Sequence, residues 1–106
     1  FEIDEQLYSY TFSPTQGMNI YRIIQEACNN VIKYANASQI NIKILKTKQH
    51  IEISIEDNGI GFDTSKDYNG NGLLNMKKRI QSINGSIKIS STPGKTQILC
   101  TFPIIP

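Results

Sequence analysis

The sequence has few of the residues that most often build metal centres and disulfide frameworks. Its 106 residues include one histidine, two cysteines and no tryptophan. His50 has no second histidine or cysteine pair at zinc-binding spacing, and no nucleophile motif that would make it part of a catalytic triad. Cys28 and Cys100 lie far apart in apolar patterns. We therefore expect small buried thiols rather than a disulfide.

Strong charge of one sign and long apolar runs are also missing. Eleven basic and nine acidic residues give a net charge of +2, which is too balanced to indicate binding to nucleic acid or to a membrane surface. The apolar runs are too short for a transmembrane helix, and no signal peptide opens the chain. Residues 1–106 are expected to form a single globular domain. Because the sequence begins at Phe1 without a methionine, we expect this domain to be part of a longer protein.

Hydrophobic periodicity predicts a mixture of strands and helices. The predicted helices are about Asn19–Tyr34 and Leu73–Ile83, and the predicted strands are 7–12, 40–44, 51–56, 86–91 and 96–102. Because hairpins and helices alternate irregularly, the pattern favours an α+β fold over a doubly wound parallel sheet. We expect a two-layer α/β sandwich, in which about two to three helices cover one face of a mixed sheet of about five strands.

A polar stripe runs along the first predicted helix. Glu26, Asn30 and Lys33 share one face, opposite the apolar residues of the same helix. Such a stripe is most often a solvated face. The alternative is a row that points into a cleft, where the amide oxygen binds Mg²⁺, the carboxylate acts as a general base and the ammonium meets an anionic oxygen.

Asp57 stands out at the end of a strand with alternating apolar residues. The apolar positions from Ile51 to Ile55 face the core, and the same alternation places Asp57 on the core-facing side. A buried carboxylate needs a hydrogen-bond donor. Asp57 either turns out of the sheet to cap the following turn or accepts a hydrogen bond from a ligand. The nearby Gly59 and Gly61 allow the backbone to approach a ligand closely.

A second glycine-rich loop precedes the second predicted helix. Gly70 and Gly72 lead directly into Leu73, the first apolar residue of that helix. Backbone N–H groups at a helix start that is reached through glycines can bind an anion. The loop lacks the lysine and hydroxyl residue of a Walker A motif and does not match a Rossmann fingerprint. It is either an ordinary flexible helix entry or a phosphate site.

In this order, the motifs resemble those of the ATP-binding catalytic domain of bacterial sensor histidine kinases. These domains belong to the Bergerat-fold ATPases, together with gyrase and mismatch-repair ATPases. Gln25–Ala35 is similar to the N box, Asp57–Phe62 to the G1 box, Gly70–Met76 to the G2 box and Pro93–Thr96 to the closing turn. The form of the N box and the short loop between G1 and G2 resemble the subclass that pairs with helix-turn-helix response regulators.

The resemblance implies ATP and Mg²⁺ as cofactors and assigns roles around the phosphates. Asn30 would bind the Mg²⁺ that bridges the ATP phosphates, and Glu26 would be the catalytic acid or base beside it. Lys33 would approach the phosphates, and the second glycine-rich loop with the following helix start would wrap them.

The resemblance also assigns roles around the base. Asp57 would accept a hydrogen bond from the adenine amino group, while Gly59 and Gly61 would shape the wall of the pocket. Thr96 would support Asp57 and the base through a water molecule. The closing turn departs from the family pattern, because one glycine is missing before Thr96.

The function implied by the resemblance is transfer of the γ-phosphoryl group of ATP to a histidine on a separate dimerisation domain of the same protein. That histidine region is absent from this sequence, and His50 lies in a predicted hairpin turn. The further implied partner is a response regulator, and we expect a monomeric, cytoplasmic domain without membrane contact in a parent that could be anchored in the inner membrane. The alternatives are a serine kinase of the anti-sigma-factor type and an interaction module without nucleotide.

Overall fold

The predicted α+β fold is confirmed by a computed structural model, which describes residues 2–7, 10–32, 37–59 and 72–104. The elements are β1 (Glu2–Ile3), a 3₁₀ turn (Glu5–Leu7), α1 (Pro14–Asn30), β2 (Ile40–Lys46), β3 (His50–Asp57), α2 (Gly72–Gln81), β4 (Ser86–Thr92) and β5 (Lys95–Pro103). The five strands form one sheet in the order β1-β2-β3-β5-β4. β1 runs parallel to β2, and the other neighbours are antiparallel, so the sheet is mixed.

The core lies between one face of this sheet and the two helices. Residues of α1, α2, β2, β3 and β5 share it, namely Ile20, Ile23, Ala27, Met76, Ile80, Ile44, Ile51, Ile53, Ile55, Ile98, Cys100 and Phe102. The alternation predicted for β3 is confirmed, because its isoleucines are buried while Glu52 and Ser54 are only half-buried on the other face. Since Asp57 follows in the same alternation, the strand carries this carboxylate to the core-facing side.

The first helix begins five residues earlier than the periodicity predicts. Ser13 is its N-cap, and Pro14 occupies the first turn. The Ser13 hydroxyl accepts from the Gln16 N–H at 3.1 Å, and the Gln16 side chain accepts from the Ser13 N–H at 3.2 Å. This capping box satisfies two N–H groups that the helix itself leaves unpaired. The predicted end at Tyr34 lies outside the described residues.

The predicted strand over residues 7–12 is wrong where the structure describes it. Leu7 ends a 3₁₀ turn and is buried in the core, and residues 10–13 have no regular secondary structure. Tyr10 packs edge-on against Phe12 at 5.0 Å, and Phe12 lies 6.5 Å from the Phe102 ring. Tyr10 and Phe12 therefore cover the core instead of pairing with a strand.

The second helix ends at Gln81, two residues before the predicted end at Ile83, and Asn84 in the following turn has an unusual backbone conformation. Asn84 has φ 62°, the left-handed conformation of a helix C-terminus. Its N–H donates to the Gln81 carbonyl at 3.0 Å, and the Gly85 N–H donates to the Ile80 carbonyl at 2.8 Å. These two bonds form a Schellman motif. Gly85 is needed for space, because a Cβ there would lie 2.5 Å from the Thr101 carbonyl oxygen.

The two cysteines are free thiols, as expected. Burial raises the pKa of Cys100 to about 12, and burial also raises the pKa of the half-buried Cys28. Both residues therefore stay protonated at neutral pH. Among the described residues, no helix has both the length and the apolar character needed to cross a membrane.

Candidate functional site

Asp57 is the last residue of β3 and is held in a defined orientation. Asp57 is buried, with 7% of its surface exposed. The Gly59 N–H donates to Asp57 Oδ1 at 2.9 Å, which closes a tight turn directly after the strand. No described residue donates to the other carboxylate oxygen. Asp57 thus both caps the turn and keeps one oxygen available, so the two alternatives considered for it are compatible.

Thr96 lies directly opposite Asp57 in the β3–β5 register and is 1% exposed. Residues paired in this way have Cβ atoms about 5 Å apart. The hydroxyl oxygens of Thr96 and Ser91 are 2.8 Å apart. Thr96 therefore lies on the same face as Asp57 although one glycine is missing from the closing turn. Thr92 and Lys95 pair directly, and Pro93–Gly94 form the two-residue turn between them.

A backbone hydrogen bond joins the β4–β5 turn to the turn after Asp57. The Gly94 N–H donates to the Gly59 carbonyl oxygen at 2.8 Å. Gly94 has φ +91°, a conformation that favours glycine. Gly59 is buried in this arrangement. The two turns that flank Asp57 and Thr96 are therefore held together independently of any ligand.

Asn58 is a structural residue that the sequence analysis did not single out. Its Oδ1 accepts from the N–H groups of Ser38 and Gln39 at 2.9 and 3.0 Å, and its Nδ2 donates to the Ser38 hydroxyl at 2.8 Å. These bonds fasten the segment that precedes β2 to the turn after β3. The position of Asn58 between Asp57 and Gly59 marks it as a turn residue, but the sequence does not show its hydrogen-bond partners, which lie about twenty residues away.

The same segment connects the Asp57 turn to the C-terminal end of α1. Val31 and Ile32, which directly follow the helix, line a pocket of about 450 Å³ together with residues 37–40. Since Ser38 and Gln39 also bind Asn58, the end of α1 and the end of β3 lie at the same end of the sheet. Asn30, the predicted Mg²⁺ ligand at the end of α1, and Asp57, the residue predicted to bind adenine, therefore lie at the same end of the sheet.

Glu26 and Asn30, the described members of the polar stripe, lie on the flank of α1, and for these two the predicted position opposite the apolar face is wrong. Ile23 is 0% exposed, and Gln16 and Asn19 are also buried. These three residues widen the buried face of α1 on the side of Glu26 and Asn30, and both of these residues are therefore half-buried. The solvated face is formed by other residues, including Met18, Arg22, Gln25 and Asn29.

Asn30 carries a buried amide oxygen with no hydrogen-bond partner among the described residues. Leaving such an atom unpaired costs free energy. A neutral oxygen of this kind is a good ligand for Mg²⁺, which usually combines one or two protein groups with substrate phosphates. The described residues contain no group of three histidine, cysteine or acidic side chains that could hold a metal. The chemistry of this amide oxygen is compatible with the Mg²⁺ ligand that the resemblance implies, and the role stays a prediction.

The start of α2 is compatible with the predicted anion site, which stays a prediction. Gly72 is its first residue, and Leu73 packs against the core. The first turn has no acidic residue, so nothing on the helix repels an anion at its N-terminus. The predictions for Lys33, Gly61 and Gly70 fall on positions outside the described residues.

Comparison with known proteins agrees with these motifs. Residues 15–106 match the HATPase_c family, described as histidine kinase-, DNA gyrase B- and HSP90-like ATPases. The chain belongs to this family. Three similar HATPase_c proteins are the histidine-protein kinase/phosphatase UhpB of Salmonella typhimurium (30% identical over 95% of the chain), the kinase/phosphatase DegS of Brevibacillus brevis (37% over 80%) and the sensor histidine kinase MctS of Rhizobium johnstonii (32% over 96%).

The chain spans only about a fifth of these relatives, covering 20%, 22% and 23% of their lengths. Solved structures agree in fold. The histidine kinase AdeS of Acinetobacter baumannii superposes with a TM-score of 0.75 at 23% identity, over 86% of this chain and 48% of that one. The histidine kinase domain of the blue-light activated kinase EL346 of Erythrobacter litoralis gives 0.72 at 15% identity, over 85% and 48%.

Proposed function

We propose that this HATPase_c domain binds Mg·ATP and donates the γ-phosphoryl group to a histidine on a separate dimerisation domain of the same protein. The family match supports nucleotide binding. The names of the three curated relatives support a sensor histidine kinase over an anti-sigma-factor serine kinase of the same fold. A nucleotide-free interaction module has less support, because Glu26, Asn30 and Asp57 are all present.

The observation that carries the proposal is the buried and oriented carboxylate of Asp57. Its Oδ1 is bound by the Gly59 N–H, and its other oxygen has no donor among the described residues. A buried acceptor with this geometry suits the exocyclic amino group of adenine, which is a hydrogen-bond donor. Gly59 and Thr96 would line the same pocket. The base would thus be selected by hydrogen bonding at the end of β3.

The phosphates would bind between the end of α1 and the start of α2. Asn30 would hold the Mg²⁺, which when bound neutralises charge on the phosphate oxygens. Lys33 would add positive charge, and the backbone N–H groups at Gly70, Gly72 and Leu73 would bind phosphate oxygens. Positioning and charge neutralisation of this kind are the main contributions of a protein to phosphoryl transfer.

Glu26 would act as the base toward the partner histidine. An imidazole nitrogen of that histidine forms a bond to the γ-phosphorus, while the bond between this phosphorus and the β–γ bridging oxygen breaks and ADP leaves. Glu26 would accept or orient the imidazole proton during this step. The half-buried position of Glu26 one turn before Asn30 agrees with this role.

The remaining partners follow from the proposed reaction. The phosphohistidine would pass its phosphoryl group to a response regulator, and the N box suggests one of the helix-turn-helix class. The domain would lie in the cytoplasm, where ATP and such a regulator are present. The isolated domain would be monomeric, without contact to nucleic acid or membrane.

The test combines binding with transfer. Calorimetry of the 106-residue chain should detect Mg·ADP binding. Incubation with γ-labelled ATP should then label a dimerisation-domain fragment that contains the cognate histidine, and should leave an anti-sigma antagonist unlabelled. Failure to bind any adenine nucleotide would overturn the proposal, and label on a serine of the antagonist would favour the alternative kinase.

A further inference from the structure

Ser91 contacts the candidate base site without having a role in the proposed function. Its hydroxyl oxygen lies 2.8 Å from the hydroxyl oxygen of Thr96, and Ser91 and Thr96 are directly paired between β4 and β5. Thr96 is in turn paired with Asp57 on the other side, between β5 and β3. Ser91, Thr96 and Asp57 therefore form a row across three strands on the core-facing side of the sheet.

The direction of the Ser91–Thr96 hydrogen bond decides what Thr96 offers to a ligand. Each hydroxyl has one proton to donate, and either can be the donor in this pair. If Thr96 donates to Ser91, it presents only lone pairs on the side of Asp57. If Ser91 donates to Thr96, the Thr96 proton stays available on that side.

The carboxylate of Asp57 favours the second arrangement. An ionised carboxylate only accepts hydrogen bonds, and its negative charge attracts the positive end of a neighbouring O–H group. Both Asp57 and Thr96 are buried, which strengthens this electrostatic preference. The Ser91 hydroxyl can then donate to Thr96 Oγ1. This bond keeps the O–H group of Thr96 oriented toward the side of Asp57, where it can act as a donor.

We propose that Ser91 is a positioning residue that fixes Thr96 as a hydrogen-bond donor beside the acceptor Asp57, and so sets the selectivity for the purine base. This inference rests on the proposed nucleotide binding at Asp57. An acceptor next to a donor matches the edge of adenine, where the amino group donates and N1 accepts. Hypoxanthine has the opposite pattern, because its 6-oxo group accepts and its N1–H donates.

The test compares the affinities of the 106-residue chain for ADP and for IDP, each measured by competition binding. Ser91→Ala should weaken ADP binding about fivefold, in line with the loss of one net hydrogen bond, and should change IDP binding by less than about twofold. The ratio of ADP to IDP affinity therefore falls. Ser91→Thr keeps a hydroxyl and should restore the ratio. Ser90→Ala removes a hydroxyl from the exposed neighbour on the other face and should leave the ratio unchanged.

A merely structural Ser91 would give a different result. Equal losses for ADP and IDP in Ser91→Ala, or no loss for either, would overturn the inference while the proposed function stands. If Ser91→Ala does not fold, Ser91→Cys is measured instead, since a thiol is a weaker donor, and an unchanged ratio would again count against the inference. If the unmodified chain bound no ADP, the proposed function itself would fail.

Discussion

The polar residues around Asp57 and the polar residues along α1 differ in how many of their hydrogen bonds are made within the chain. Asp57 accepts a hydrogen bond from the Gly59 N–H, and the hydroxyl of Thr96 is bonded to that of Ser91. The Gly94 N–H donates to the Gly59 carbonyl oxygen and so joins the two flanking turns. On α1, by contrast, the buried oxygen of Asn30 has no partner among the described residues. The first group is assembled from three paired strands, and the second from one flank of a single helix.

This difference suggests two ways of preparing a binding site. Strand pairing fixes the positions of neighbouring side chains across a sheet, so the Asp57 group is oriented before a ligand arrives. An unpaired buried oxygen instead reduces the stability of the ligand-free chain, and a cation that binds it recovers that free energy. We therefore expect substitutions in the first group to alter affinity or stability by losing bonds, and removal of the Asn30 amide to lower binding while raising stability.

The largest effect is expected for Asp57→Asn. The affinity for ADP should fall about 100-fold, because a charged acceptor of the base is replaced by an amide. The melting temperature should change little, since the amide oxygen can still accept from the Gly59 N–H. Calorimetry and thermal unfolding measure the two quantities. Glu56→Gln, on the other face of the same strand, is the matched control, and full ADP affinity in Asp57→Asn would show that the base binds elsewhere.

Asn30→Asp should have the next largest effect. Mg-dependent ATP binding should weaken about 30-fold, because a carboxylate in this half-buried position repels the phosphates and is costly to bury. Binding of ADP without Mg²⁺ should change much less. The matched control is Asn29→Asp, which adds the same charge at the adjacent exposed position. Unchanged Mg·ATP affinity by calorimetry would remove Asn30 from the metal site.

Thr96→Val should have a smaller effect, on stability as well as on binding. The change preserves the side-chain shape but removes the bond to Ser91, so the free energy of unfolding should fall by about 1 kcal/mol. Urea denaturation measures this difference. Thr92→Val alters an exposed threonine of the neighbouring strand and should be nearly neutral. Equal stability of Thr96→Val and the unmodified chain would indicate that the hydroxyl pair contributes nothing to folding.

The smallest effect is expected for Asn30→Ala in the absence of ligand. This variant should be more stable than Asn29→Ala by about 0.5 kcal/mol. Both gain helix propensity, but only Asn30→Ala removes a buried oxygen without a partner. Urea denaturation of the two variants gives the comparison. A lower stability of Asn30→Ala would mean that the Asn30 amide is bonded in solution, and the contrast between the two groups would then be lost.

Local patterns in the sequence predicted much of the fold and part of the site. The alternation that buries the isoleucines of β3 also placed Asp57 on the core-facing side. The structure differs from the prediction where a local sequence pattern is typical of two different structures. Ser13 and Pro14 can end a strand, but Ser13 and Gln16 together are also the signature of a capping box, and the structure has the capping box. Aromatic residues are common in strands, which favours a strand over residues 7–12, whereas in the structure Tyr10 packs on Phe12 and Phe12 packs on Phe102.

The class of fold, the positions of the glycine turns and the face on which Asp57 lies can all be predicted from the amino-acid sequence. These depend on periodicity and backbone conformation, which act over a few residues. The pairing of Thr96 with Asp57 and Ser91, the binding of residues 38 and 39 by Asn58, and the burial of the Asn30 oxygen become visible in the folded chain. These are contacts between distant parts of the chain, set by strand register and helix packing, and no local pattern encodes them.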